Sequence, residues 1–144
     1  MISALDSSVL LDVLTANPQF ADRSEALLRQ AMTEGKLVIG ECSLAEIAPA
    51  FKDEKTLEEL LADWQIEFVP SSRDSALLAG RSFARYLSRR RRMGRVVADF
   101  LIGAHAMLHA DRLLARDRGY LRDYFSKLTV LANSDSRSSS ASGL

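Results

Sequence analysis

Four acids in this chain stand where chemistry can be built: Asp6 in ISALDSS, Glu46 in SLAEIAP, Asp99 in RVVADFLIG and Asp117 in LLARDRGY. Asp99 is the most conspicuous. It is set into an apolar run, RVVADFLIGAHAML, where desolvation makes an unpaired carboxylate costly. Each acid alone has an ordinary structural role within reach. Asp6 suits an N-cap before Ser7. Glu46, three residues after Ser43, has capping-box spacing. Asp117 suits a turn. Asp99 gains only about 0.3–1 kcal/mol from the positive end of an exposed helix.

Taken together the four suggest a metal site. Carboxylate oxygens suit hard cations such as Mg²⁺ and Mn²⁺. Crowded carboxylates repel one another until a divalent ion offsets their charge. Such an ion polarises a water and neutralises charge on a phosphate oxygen, the chemistry of phosphodiester hydrolysis. Ser7 and Ser8, beside Asp6, are candidates to orient a water or a phosphate.

The arginines point the same way. From Ser75 to Ala98 there is no acid, but Arg81, Arg85, Arg89, Arg90, Arg91, Arg92 and Arg95 are present. Of these, Arg89 to Arg92 and Arg95 lead directly into the Asp99 helix. Basic side chains give a salt-sensitive grip on a phosphate backbone. The formal charge of zero is a sum of opposed regions, so it does not exclude a polyanionic partner. Tyr86, Tyr120 and Tyr124 are expected at a core edge more than in base stacking. His105 and His109 have i, i+4 spacing but lack the Glu of an HExxH motif, so His105 reads as packed. Asp12, Asp53, Asp63, Asp111 and Asp123 read as surface or turn acids.

The elements that must position these groups alternate. ISALD, KLVIG, IEFVP, DRLLARD and KLTVL read as strands. Between them lie helical patterns at SSVLLDVLTA, ADRSEALLRQAMTEG, SLAEIAPAF, DEKTLEELLADW, SSRDSALLAGRSFARYLSRR, VADFLIGAHAMLHA and RGYLRDYF. Gly35 is placed at a helix C′ position. This alternation predicts an α/β fold with a mostly parallel sheet covered on both faces. Ligands of such sheets sit beyond the strand carboxyl ends, where Asp6 and Asp117 fall.

The totals fit one soluble domain. The chain has 144 residues, 47% hydrophobic and 26% charged. No apolar run approaches the roughly 20 residues that span a bilayer, and no secretory signal is legible at the start. The single cysteine, Cys42, excludes an intramolecular disulfide and a cysteine zinc cage. A cytoplasmic setting is expected. Residues 1–132 read as the domain, and 133–144 as a disordered serine-rich tail.

On these residues the chain resembles the PIN-domain ribonucleases, in particular the VapC-type toxins of bacterial toxin–antitoxin pairs. The resemblance runs through ALDSSVLLDVL, SLAEIAPAF and VADFLIGAHAMLHADRLLARDRGYLRDYFSKLTVL. The opening acid with hydroxyl neighbours matches Asp6-Ser7-Ser8. The family glutamate matches Glu46. The acid of a D-x-x-I-x-A-like helix matches Asp99. The acid after the late strand matches Asp117, followed by Gly119-Tyr120. Many relatives have Thr or Ser where this chain has Ala115, so one hydroxyl of the metal shell is missing. The resemblance implies a PIN-like three-layer α/β/α sandwich with four to five strands. It implies Mg²⁺- or Mn²⁺-dependent endonucleolytic cleavage of RNA, a homodimer, and a cognate antitoxin.

Two rivals have weaker support. A receiver-like domain lacks an acceptor Asp after KLVIG or IEFVP and a lysine after DRLLA. A non-catalytic PIN-like module that binds RNA or protein rests on Ala115 alone.

Overall fold

The computed structural model describes residues 1–89, 94–116 and 118–133. Five strands form one sheet: β1 (Ile2–Leu5), β2 (Lys36–Ile39), β3 (Ile66–Phe68), β4 (Arg112–Ala115) and β5 (Val130–Ala132). Their order is β3-β2-β1-β4-β5, and every pairing is parallel. Because β2 and β3 are added on one side of β1 and β4 and β5 on the other, the order reverses at β1–β4. Ser3 pairs with both Leu37 and Arg112 there. Such a reversal opens a crevice at the strand carboxyl ends.

Seven helices cover the sheet among the described residues: α1 (Ser7–Leu14), α2 (Ala21–Glu34), α3 (Glu41–Ile47), α4 (Glu54–Asp63), α5 (Arg73–Arg89), α6 (Val97–His109) and α7 (Leu121–Tyr124). Strand alternation sends neighbouring side chains into opposite cores. Leu5, Leu37, Ile39 and Leu114 meet α1 to α4, whereas Ala4, Val38, Leu113 and Ala115 meet α5 to α7. The result is the three-layer α/β/α sandwich. No described helix is long and apolar enough to cross a membrane.

Several local expectations are corrected. Gly35 follows α2, but its φ of 161° is extended, not left-handed. Glycine is required there by proximity, since a Cβ would lie 1.8 Å from the Met1 carbonyl oxygen. Gly103 on α6 is set by a similar approach, its Cβ position 2.5 Å from the Phe125 ring. The capping box proposed for Ser43 and Glu46 is absent. The helix begins two residues earlier, at Glu41 after Gly40, which buries Ser43 inside it and frees Glu46 for another contact. Asp53 does cap α4, accepting the Thr56 N–H at 2.8 Å.

Asp12 is no surface acid. It is fully buried on α1, where it accepts the Ser24 hydroxyl at 2.8 Å and pairs with the Arg116 guanidinium. Burial of a carboxylate is tolerable when a cation and hydrogen bonds satisfy it. Asn133, the first residue assigned to the tail, is also buried and donates to Ser24 Oγ at 2.9 Å. Residues 134–144 lie outside the described residues.

His105 is packed as expected. Its Nε2–H donates to the Val69 carbonyl at 2.6 Å, tying α6 to the end of β3. Burial pushes its pKa below the ordinary 6.5. The unfolded chain therefore takes up this proton first. Stability is fully present above 6.5 and declines as pH falls towards the lower folded value. The urea midpoint is expected to fall between about pH 7.5 and about pH 5.5, and to fall less in His105→Gln.

Candidate active site at the carboxyl end of the sheet

Asp6 immediately follows β1, and its N–H extends the ladder to the Leu114 carbonyl at 2.9 Å. It occupies the N-cap position of α1, yet its carboxylate does not cap that helix. It accepts the Ser8 hydroxyl instead, at 2.7 Å. Burial raises its pKa, the Ser8 hydrogen bond opposes that, and the charges of Glu46 and Asp99 raise it further. Burial and like charges make the ionised form of Asp6 costlier than in water, and a nearby cation would reverse that.

Glu46 projects from α3 and accepts the Ser7 hydroxyl at 3.0 Å. The two serines next to Asp6 thus each donate to a different candidate acid. Asp99 lies in the first turn of α6, near the helix start as its place in VADFLIGAHAMLHA implied. Its Oδ2 accepts the Val96 N–H at 3.0 Å, and it is only half-buried. The apolar residues that surround it in sequence, Phe100 and Ile102, are the ones that enter the core. Asp6 is half-buried too, and desolvation is the largest cause of its raised pKa.

Asp6, Glu46 and Asp99 are brought into one electrostatic neighbourhood. The latter two charges act on Asp6, and all three raise the Tyr120 hydroxyl pKa. Burial is the largest cause of that Tyr120 shift. As their side chains stand, the described residues contain no group of three or more His, Cys, Asp or Glu placed to hold a metal ion. The fourth acid, Asp117, lies outside the described residues, between Arg116 and Arg118. The donor chemistry nevertheless fits a hard divalent cation. All three described acids offer oxygen, one oxygen of each is steadied by a protein donor, and half-buried Asp6 feels two like charges.

The rim carries cation and aromatic groups. The Arg95 guanidinium lies 4.3 Å over the Tyr120 ring, and the Arg95 N–H donates to the Tyr86 hydroxyl at 3.0 Å. The Tyr120 hydroxyl donates to the Asp99 carbonyl at 2.7 Å. Arg85 stacks on Tyr124 and donates to its carbonyl at 3.0 Å. The three tyrosines thus lie at a core edge around Phe100, as expected. Arg89 is exposed in the last turn of α5, and Arg90, Arg91 and Arg92 lie outside the described residues. Ala115 packs wholly in the core beside Ala4 and Ala132.

Sequence reasoning missed two features: the Asp12–Arg116 pair and the Arg95–Tyr120 stack. A signal for the first existed. SSVLLDVL sets an acid among apolar residues just as VVADFLI does. For the second, nothing in the spacing relates Arg95 to a tyrosine 25 positions later.

The PIN-domain family model matches residues 4–125. Among solved structures, the chain is similar to VapBC2 from Rickettsia felis bound to a DNA fragment from their promoter. That match has 18% identity and a TM-score of 0.69, over 92% of this chain and 98% of the other. It is similar to VapBC-1 from nontypeable Haemophilus influenzae, with 18% identity, a TM-score of 0.67 and coverage of 93% and 99%. FitAcB from Neisseria gonorrhoeae gives 21%, 0.63, 92% and 98% in the same order. At these identities the likeness is one of fold. No curated protein matches the sequence.

Proposed function

This chain belongs to the PIN domain family, and on that premise we propose that it is a Mg²⁺- or Mn²⁺-dependent endoribonuclease, the toxin of a toxin–antitoxin pair. The observation that carries the reading is the half-buried Asp6 at the β1–β4 reversal, its carboxylate held by Ser8 beside the Ser7–Glu46 pair, with the charges of Glu46 and Asp99 upon it. That crowding has a chemical use if a divalent cation neutralises it. Asp6, Glu46, Asp99 and Asp117 would hold the ion. When bound, it supplies Lewis-acid polarisation of water and charge compensation at phosphate.

The protein's own groups do the rest. Ser7 and Ser8 hold the Glu46 and Asp6 carboxylates in place, which supports a role in orienting the acids more than in contacting RNA. The N–H of Val96 steadies Asp99. Arg95, stacked over Tyr120, offers a preorganised cation for a backbone phosphate, and exposed Arg89 adds to it; a phosphate role for Arg90, Arg91 and Arg92 rests on their sequence alone. The names of the similar structures, VapBC above all, support a cognate antitoxin as partner. A homodimer and a cytoplasmic setting remain part of the proposal through the family resemblance. The single experiment is cleavage of RNA by purified protein with Mg²⁺ or Mn²⁺, compared with the same protein in chelator. Cleavage that persists in chelator would overturn the metal role.

The basic rim makes its own prediction. In an Asp6→Asn background that leaves RNA intact, Arg95→Ala is expected to weaken RNA binding and to flatten its salt dependence. The slope of log affinity against log salt should fall by about 0.7 for single strands. Fluorescence anisotropy across a salt series measures this, and an unchanged slope removes Arg95 from the phosphate contacts.

A further inference from the structure

A second polar assembly stands directly behind Asp6. The Arg116 N–H donates to Ser8 Oγ at 3.3 Å, and Ser8 Oγ donates to Asp6 Oδ2 at 2.7 Å. Ser8 is therefore held from both sides. Arg116 is itself fixed at the exit of β4. Its guanidinium pairs with both carboxylate oxygens of Asp12 and lies 4.5 Å over the Phe20 ring. Asp12 is anchored in turn by Ser24, and Ser24 by Asn133. The network ends on the half-buried Asp6 carboxylate.

We propose that Asp12 and Arg116 are positioning residues, an ion pair between a buried carboxylate and a partly exposed guanidinium that fixes the β4 exit so that the Arg116 N–H keeps Ser8 turned onto Asp6. The functional weight of this rests on Asp6 being a metal ligand, as proposed above. Partners that orient a ligand from behind commonly govern metal affinity and activity by about 10–100-fold. A side chain that merely stabilised the fold would change neither once the protein was folded.

The variants must separate these roles. Losing either charge alone leaves its partner unpaired, a loss that destabilises the fold. In Asp12→Asn with Arg116→Met both charges go, and the asparagine oxygen still accepts from Ser24. This double variant is compared with Ser8→Ala and with the triple combination. Thermal melting establishes that each is folded. Expected for the double variant is a loss of about 10–100-fold in Mn²⁺ affinity by calorimetry, with a matching fall in kcat and little change in KM. The triple variant should be no worse than Ser8→Ala, because the effect passes through Ser8. Wild-type Mn²⁺ affinity and kcat in the double variant, or losses that simply multiply in the triple, would overturn the proposal.

A readout independent of metal keeps the two readings apart. The Asp6 side-chain carboxyl carbon, followed by NMR in metal-free protein, is expected to shift in the same direction in the double variant and in Ser8→Ala. If wild-type protein neither binds Mn²⁺ nor cuts RNA, the nuclease reading fails while this resonance still decides the positioning pair. An unmoved resonance in the double variant refutes it.

Discussion

Replacing Asp6 with Asn is expected to lower RNA cleavage by at least about 100-fold while leaving the protein folded. The lower bound comes from the cost of disturbing groups that only support a metal ligand, about 10–100-fold. Loss of the ligand charge itself should exceed that. Asn keeps the size of the side chain and an oxygen for the Ser8 hydroxyl at 2.7 Å. The stability arm follows from the raised pKa of Asp6, caused first by burial and then, against the Ser8 bond, by Glu46 and Asp99. A raised folded value means that the folded state holds the proton more firmly than the unfolded chain. Stability from that proton is fully present below the ordinary 3.8 and is lost as pH rises through the folded value. At neutral pH without metal, ionised Asp6 is thus a liability that Asn removes. Urea unfolding of metal-free Asp6→Asn should show a midpoint equal to or above wild type. An active Asp6→Asn protein, or one that unfolds at markedly lower urea, contradicts this.

Phe100→Ala is expected to cost about 3–5 kcal/mol of folding stability, the range for deleting a fully buried aromatic side chain. Phe100 has no exposed surface. Its ring centroid lies 5.3 Å from those of Phe83 and Tyr120, 5.4 Å from Tyr86 and 5.6 Å from Tyr124. It joins α5, α6 and α7 while following Asp99 directly in the chain. The cavity would also loosen Tyr120, which supports both the Asp99 carbonyl and the Arg95 guanidinium. Denaturant titration measures the loss, and a cost below about 1 kcal/mol would show that the aromatic cluster repacks. Phe100→Leu should retain much of the lost stability because it refills most of the volume.

The sheet was legible because all five strands are short apolar runs separated by helical patterns, a spacing that admits few topologies. Strand order was not, since it depends on which crossovers pack on which face. Helix starts were read less well. At Ser43 the hydroxyl-to-acid spacing suggested a cap, but the chain leaves β2 at Gly40 and begins α3 at once, so tertiary geometry decided. The acid-in-apolar-run pattern marks two different environments. An acid within an apolar helix drew attention to Asp99, which the fold places at a half-exposed helix start. The same pattern at Asp12 marks a fully buried charge, satisfied by an arginine 104 positions later in the chain. Sequence gives no local trace of so distant a partner. Convergence of Asp6, Glu46, Asp99 and Asp117 was expected from their places at strand and helix ends; among the described residues the charges of Glu46 and Asp99 reach Asp6, but no three acids are grouped to hold a metal ion, and Asp117 lies outside them.

The central claim is that carboxylates contributed by β1, α3 and α6 together bind a divalent cation. Isothermal titration of Mn²⁺ into wild-type protein, Asp6→Asn and Asp99→Asn tests it most directly. Saturable binding to wild type, lost or greatly weakened in both variants, is the predicted result. No binding to wild type, or equal binding by all three proteins, would contradict it.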